Sequence, residues 1–166
     1  MSKDLYLIRH ALASEKEQGQ DDIDRFLASD GVQGATKIGY HFNKEGVKPD
    51  IIITSPAVRA HSTSILIAEQ LNYNTESIHI NDELYEASVR ILLQVVNRLK
   101  ASWNTVFIIG HNPSMSYLAE YITRAEIGTI EPAGYVHIQI KMDDWEQVSE
   151  GNGEFVVYKD PSNFGF

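Results

Sequence analysis

With 166 residues, 43% of them apolar and 22% charged, the chain has the composition of one globular domain able to bury a core. Its formal net charge of −9 excludes broad affinity for nucleic acid or anionic membranes, which needs a cationic face that releases counterions. The absence of cysteine excludes disulfides and thiolate metal sites. No run of about 18 apolar residues offers a membrane-spanning helix.

The N-terminus, MSKDLYLIRH, enters a strand-like segment almost at once and carries no signal-peptide pattern. A cytoplasmic setting is the expectation. The first predicted strand is Leu5–Arg9 (LYLIR), followed by a long polar connection from Ala11 to Ala28 without periodicity. Connections of that length often carry function, and this one starts where the first strand ends. Val32, Ala35, Ile38, Gly39 and Phe42 then share one helix face, which stops near Gly46 before Pro49. Asp50–Ser55 (DIIITS) predicts a strand and Val58–Leu71 a second helix. Ser77–Ile80 (SIHI) predicts a short strand. The stripe Val89, Leu92, Leu93, Val96 and Leu99 marks a third helix.

Thr105–Gly110 (TVFIIG) is nearly continuous in apolar character, as is DIIITS; such strands are covered on both faces, as in a mainly parallel sheet. A fourth helix carries Met115, Leu118, Ala119 and Ile122 and is entered through Asn112-Pro113-Ser114, a cap followed by proline. Tyr135–Ile140 (YVHIQI) alternates, which suggests a half-exposed or edge strand. Asp143–Gly153 reads as the hairpin loop before a last strand at Glu154–Tyr158. The tail from Asp160 lies over the surface, tied down by its phenylalanines. Strands alternating with helices predict a three-layer α/β/α sandwich around a mostly parallel sheet, with residues 1–166 forming a single domain.

Three groups of functional side chains fall at the C-terminal ends of predicted strands. Arg9 and His10 follow LYLI, Arg59 follows DIIITSP at the start of a helix, and His111 follows TVFIIG. Ligands of open α/β sheets bind outside those strand ends, where helix N-termini favour anions. Guanidinium forks match pairs of phosphate oxygens and stay charged. A neutral imidazole is a competent nucleophile near neutral pH. The set therefore suits phosphoryl transfer through a phosphohistidine on His10, with Arg9, Arg59 and a protonated or donating His111 on the phosphoryl oxygens. That chemistry requires neither a metal nor a cofactor. Glu86, with Glu83 behind it, is the candidate for protonating a leaving group. Arg25 either touches the pocket or braces the loop. His41, His61, His79 and His137 lack a comparable setting.

These segments match a family pattern. LYLIRHA resembles the RHG-type signature of the histidine phosphatase superfamily, which also includes the phosphoglycerate mutases. RFLASDGVQGA is similar to the stretch that follows the family's first loop, TSPAVRAHST to its SP-x-x-R-A-x-x-T segment, and GHNPSM to its G-H segment. The resemblance runs in order from Leu5 to about Ile122. Within the superfamily, the short length and the ELYEAS segment look most like the SixA-type phosphohistidine phosphatases. The resemblance implies a phosphoglycerate mutase-like fold, a nucleophile at His10 and phosphate ligands at Arg9, Arg59 and His111. It also implies a phosphate-bearing small molecule or a phosphohistidine-containing protein as partner. Two positions depart from the pattern: Ala11 replaces the usual glycine, and Ala28 replaces a threonine, leaving Ser29 or Asp30 to cap the first helix. A phosphate-sensing or adaptor module without turnover is the alternative from another class, and a mutase-like enzyme is a weaker one.

Overall fold

A computed structural model describes residues 2–165. Six strands form one sheet: β1 (Lys3–Arg9), β2 (Ile51–Thr54), β3 (His79–Ile80), β4 (Thr105–Gly110), β5 (Tyr135–Ile140) and β6 (Glu154–Lys159), in the spatial order β3-β2-β4-β1-β5-β6. The four strands from β3 to β1 are mutually parallel, and β5 runs antiparallel to both of its neighbours. Four helices cover the faces: α1 (Ser29–Lys44), α2 (Val58–Gln70), α3 (Val89–Asn97) and α4 (Ser114–Thr123).

The alternation of side chains across each strand decides the layering. Leu5 and Leu7 of β1, with Val106 and Ile108 of β4, pack with Leu92, Val96, Met115 and Leu118 of α3 and α4. The intervening residues Tyr6, Ile8, Phe107 and Ile109 pack with Ala35, Ile38, Phe42 and Ile67 of α1 and α2. The central strands are thus buried on both faces, as their apolar runs predict. Each wholly buried aliphatic side chain contributes roughly 1.5–3 kcal/mol. The α/β/α sandwich is the expected one.

Several local expectations change. Val32 stays 42% exposed, and the buried stripe of α1 is instead Gly31, Gly34, Ala35, Ile38, Gly39 and Phe42. Close approach to α2 sets that choice: a Cβ on Gly39 would stand 2.9 Å from the Gln70 side chain and 3.0 Å from the Ile67 Cα. SIHI shrinks to the two exposed residues of β3, because only Ile53 and Thr54 are available to pair with it and Thr75–Ser77 close a 3-10 turn. β5 lies inside the sheet, with β6 at the edge, and is mostly buried, His137 and Gln139 alone being partly exposed along it. The loop from 143 to 153 holds buried Trp145, whose indole N–H donates to the Trp103 carbonyl at 2.9 Å. In the tail, Phe164 stacks on His41 at 4.3 Å; Phe166 lies outside the described residues.

Neither expected helix cap forms. Ala28 occupies the N-cap of α1 in extended geometry, and no side chain caps it. Pro113 precedes α4 without a capping side chain, while Asn112 turns away to donate to the Ile130 carbonyl at 3.0 Å.

The connection from 11 to 28 is more ordered than its polarity suggests. Ala13 bridges Leu27, the Ser14 N–H donates to the Phe26 carbonyl at 2.8 Å, and Asp22–Asp24 form a 3-10 turn. The segment therefore folds back beside the end of β1.

Candidate active site

Sheet register brings the site together. Arg9 stands opposite Gly110, so His10 and His111 leave adjacent parallel strands side by side. The His10 N–H donates to the Gly110 carbonyl at 3.0 Å and the Ser55 N–H to the Ile109 carbonyl at 3.1 Å, which aligns the ends of β1, β4 and β2. The imidazoles of His10 and His111 lie with centroids 5.1 Å apart. They open into a cavity of about 490 Å³ whose lining includes Arg9, His10, Arg59, Glu86 and His111. All five site residues chosen from the sequence therefore share one cavity.

The hydrogen bonds fix the state of the first ring. His10 Nδ1 lies 2.7 Å from the Ala11 carbonyl. A carbonyl only accepts, so Nδ1 carries the proton and Nε2 keeps its lone pair. Burial, reinforced by neighbouring cations, lowers the His10 pKa to about 3. The ring is thus neutral with a free nitrogen at physiological pH. The following peptide is pinned as well: the Ala11 N–H donates to Thr63 Oγ1 at 2.9 Å, and that hydroxyl donates to the Arg59 carbonyl at 2.7 Å. One threonine thus ties the segment after His10 to the helix that carries Arg59.

His111 is held differently. Its Nε2 is 2.8 Å from Ser55 Oγ, and that same oxygen accepts the Ala57 N–H at 3.2 Å. When the hydroxyl donates to Nε2, the proton of a neutral His111 resides on Nδ1. Burial and the charges of Arg59 and Arg9 lower its pKa to about 4. The resting ring is therefore neutral rather than protonated.

Arg59 is almost fully buried at 7% exposure. It donates through Nη1 to the Asp22 carbonyl at 2.7 Å and through Nη2 to Asp22 Oδ2 at 3.0 Å. Asp22 Oδ2 also accepts the Tyr85 hydroxyl at 2.6 Å. Arg9 donates to the Ile130 carbonyl at 2.9 Å, beside Asn112 on the same acceptor. Arg25 both lines the cavity and braces the loop, donating through Nε and Nη2 to the Ser14 carbonyl at 3.1 and 3.0 Å.

The two acidic candidates separate. Glu86 reaches the cavity from a left-handed backbone conformation, φ 54°. Glu83 does not: its carboxylate pairs with Arg98 at 3.2 Å on the surface. Sequence reasoning missed Ser55, Asp22 and Tyr85. Ser55 sits inside the quoted TSP segment and its position before the helix was the available signal; nothing in the polar run around Asp22 distinguishes it from Asp21 or Asp24.

A mostly parallel α/β sheet whose strand ends bring a neutral imidazole and three arginines into one cavity suits phosphoryl transfer. The chain belongs to the histidine phosphatase superfamily (branch 1), whose family model matches residues 5–92, more than half of its length. Its enzymatic class is that of a phosphatase. In fold it resembles the protein histidine phosphatase SixA complexed with tungstate, at TM-score 0.83 and 21% identity over 96% of this chain and 98% of that one. A candidate phosphohistidine phosphatase SixA of Nakamurella multipartitia matches at TM-score 0.81 and 21% identity, covering 96% of both chains. An uncharacterized protein of Picosynechococcus sp. is 25% identical over 141 residues, 82% of this chain and 84% of that one.

Proposed function

We propose that this chain hydrolyses a phosphohistidine or a phosphomonoester by transfer of the phosphoryl group to His10 Nε2. The observation that carries the proposal is the 2.7 Å contact from His10 Nδ1 to the Ala11 carbonyl, which leaves an unprotonated nitrogen facing the arginines. In the first step the Nε2 lone pair forms the N–P bond while the bond from phosphorus to the leaving atom breaks. Arg9, Arg59 and the Nδ1–H of His111 hold the three equatorial oxygens, where charge gathers in a loose transition state. Water then attacks phosphorus, its proton passing to a Glu86 carboxylate, and the N–P electrons return to Nε2.

Leaving groups set the need for an acid. An alkoxide must be protonated as it departs, and Glu86, which lines the cavity, is the proposed donor. An imidazole departs more easily and depends less on that proton. The fold likeness to SixA, a protein histidine phosphatase, favours a phosphohistidine-bearing protein over a free phosphoglycerate. A cysteine-free chain suits a reducing cytoplasm. A sensing module would need the cations but not a nucleophile held in one tautomer.

The test is to trap the intermediate. Incubation with a labelled phosphodonor should leave phosphate on His10 in an acid-labile, alkali-stable linkage. His10→Ala should lose hydrolysis and labelling while still binding vanadate. Turnover that persists in His10→Ala would overturn the assignment, and binding without any labelling of the wild type would favour the sensing module.

A further inference from the structure

The phosphoryl ligands account for one side of the cavity only. The rest of its wall is formed by Leu12, Ala13, Asp22, Tyr85, Glu86 and Pro132, with Arg25 at the loop. This is the space left for the leaving group. Asp22 is the fixed charge within it: its Oδ2 accepts from Arg59 at 3.0 Å and Tyr85 at 2.6 Å, and its Oδ1 from Arg25 at 3.2 Å. A carboxylate held by three donors from a loop, helix α2 and the segment before α3 stays in place when substrate enters.

From that placement we infer that Asp22 is a specificity-determining residue, which selects leaving groups that are neutral or cationic and rejects those that carry a carboxylate. The inference rests on the phosphatase reading above and deepens it. The charge balance supports it. Arg9, Arg25 and Arg59 bring three positive charges to the cavity, Asp22 brings one negative charge, Glu86 in its acid form brings none, and both histidines rest neutral. A bound phosphate dianion cancels that surplus, so a second anionic group on the substrate meets Asp22 with no positive charge left to balance it. The Arg25 charge is already paired there, with Nη1 on Asp22, while its Nε and Nη2 donate to the Ser14 carbonyl. Asp22 keeps its charge at any working pH: the Tyr85 hydroxyl bond and the two arginines hold its carboxyl well below the usual carboxylate range. An imidazole or a lysine-flanked protein segment meets a complementary wall; a phosphorylated carboxylic acid does not.

Three aryl phosphates of nearly equal size test this: phenyl phosphate, its 4-carboxy derivative and its 4-aminomethyl derivative. All three share the phosphoryl contacts, so any change in the positioning of Arg59 cancels in the ratio of their kcat/KM values. Wild-type protein should prefer the aminomethyl compound over the carboxy compound by tenfold or more. Asp22→Asn should reduce that ratio at least tenfold, and Tyr85→Phe, which keeps the charge, should change it far less. Raising ionic strength until the Debye length is about 3 Å should shrink the wild-type preference as well, which needs no variant to fold. A ratio that stays within twofold of wild type in Asp22→Asn, or a wild type that does not discriminate at all, would overturn the inference. Where turnover is absent, displacement of vanadate by the same three compounds gives the same ranking test. Labelling of His10 in the wild type separates failure of this inference from failure of the phosphatase reading.

Discussion

Removing the Ser55 hydroxyl is the sharpest probe of how the site is preorganised. Ser55 is fully buried, and its Oγ is the partner of both His111 Nε2 at 2.8 Å and the Ala57 N–H at 3.2 Å. Ser55→Ala deletes about as much volume as one oxygen atom and leaves two buried polar groups without that partner. Leaving a buried group unsatisfied costs about 1–3 kcal/mol. A chain of this size loses roughly 2–4 °C of Tm per kcal/mol, so thermal unfolding should fall by about 2–12 °C. Function should fall separately. Without the hydroxyl to hold Nε2 as an acceptor, His111 spends part of its time with the proton on the wrong nitrogen, and kcat/KM should drop about 5- to 150-fold for the same range of free energy. A double-mutant cycle isolates the functional part. In a His111→Ala background there is no tautomer to fix, so Ser55→Ala should cost little further kcat/KM while still lowering Tm. Equal losses of kcat/KM in both backgrounds, or a wild-type-like kcat/KM with only a lower Tm, would refute the role given to Ser55.

Two further outcomes follow from the same geometry. The uncapped N-terminus of α1 has a side chain too short at Ala28, whose extended backbone already suits a cap. Ala28→Ser should raise stability by about 0.5–2 kcal/mol in urea unfolding with kcat unchanged, and a loss of stability would show that the position is closed to a hydroxyl. The paired histidines should make the protein acid-sensitive. Each titrates near 6.5 when unfolded but at about 4 (His111) or about 3 (His10) when folded. Between those values the unfolded chain binds more protons. Stability is therefore complete above about pH 6.5 and is lost as pH falls through the window toward 4 and then 3, by at most about 1.4 kcal/mol per pH unit for each ring. Urea midpoints measured from pH 7.5 down to 4.5 should show this slope, and His111→Asn should flatten it; identical slopes in the two proteins would remove His111 from the account.

The sandwich was legible in the sequence because two-sided burial writes itself into a strand as a continuous apolar run, as in TVFIIG and DIIITS, and helical faces repeat every three to four residues. That Arg9, His10, Arg59 and His111 would gather in one cavity was legible for a related reason. Each sits at the end of a parallel strand or the start of the next helix, and the sheet's register converts that shared local position into a shared location in space. Composition and local pattern thus determined the layers, the strand ends and the identity of the candidate nucleophile.

What only the tertiary structure decided are the contacts between segments that carry no periodic signal. Asp22 lies in a polar run of near-identical acids, and its partnership with Arg59 and Tyr85 arises because the loop from 11 to 28 folds back across the strand ends through the Ala13–Leu27 bridge. The same holds for Ser55 on His111, and for Glu83, the candidate behind Glu86 in the sequence, which pairs with Arg98 on the surface. A hydrogen bond between residues dozens of positions apart is a single event. It leaves no repeat for a pattern to report, so the electrostatics of the leaving-group side emerge only once the chain is folded.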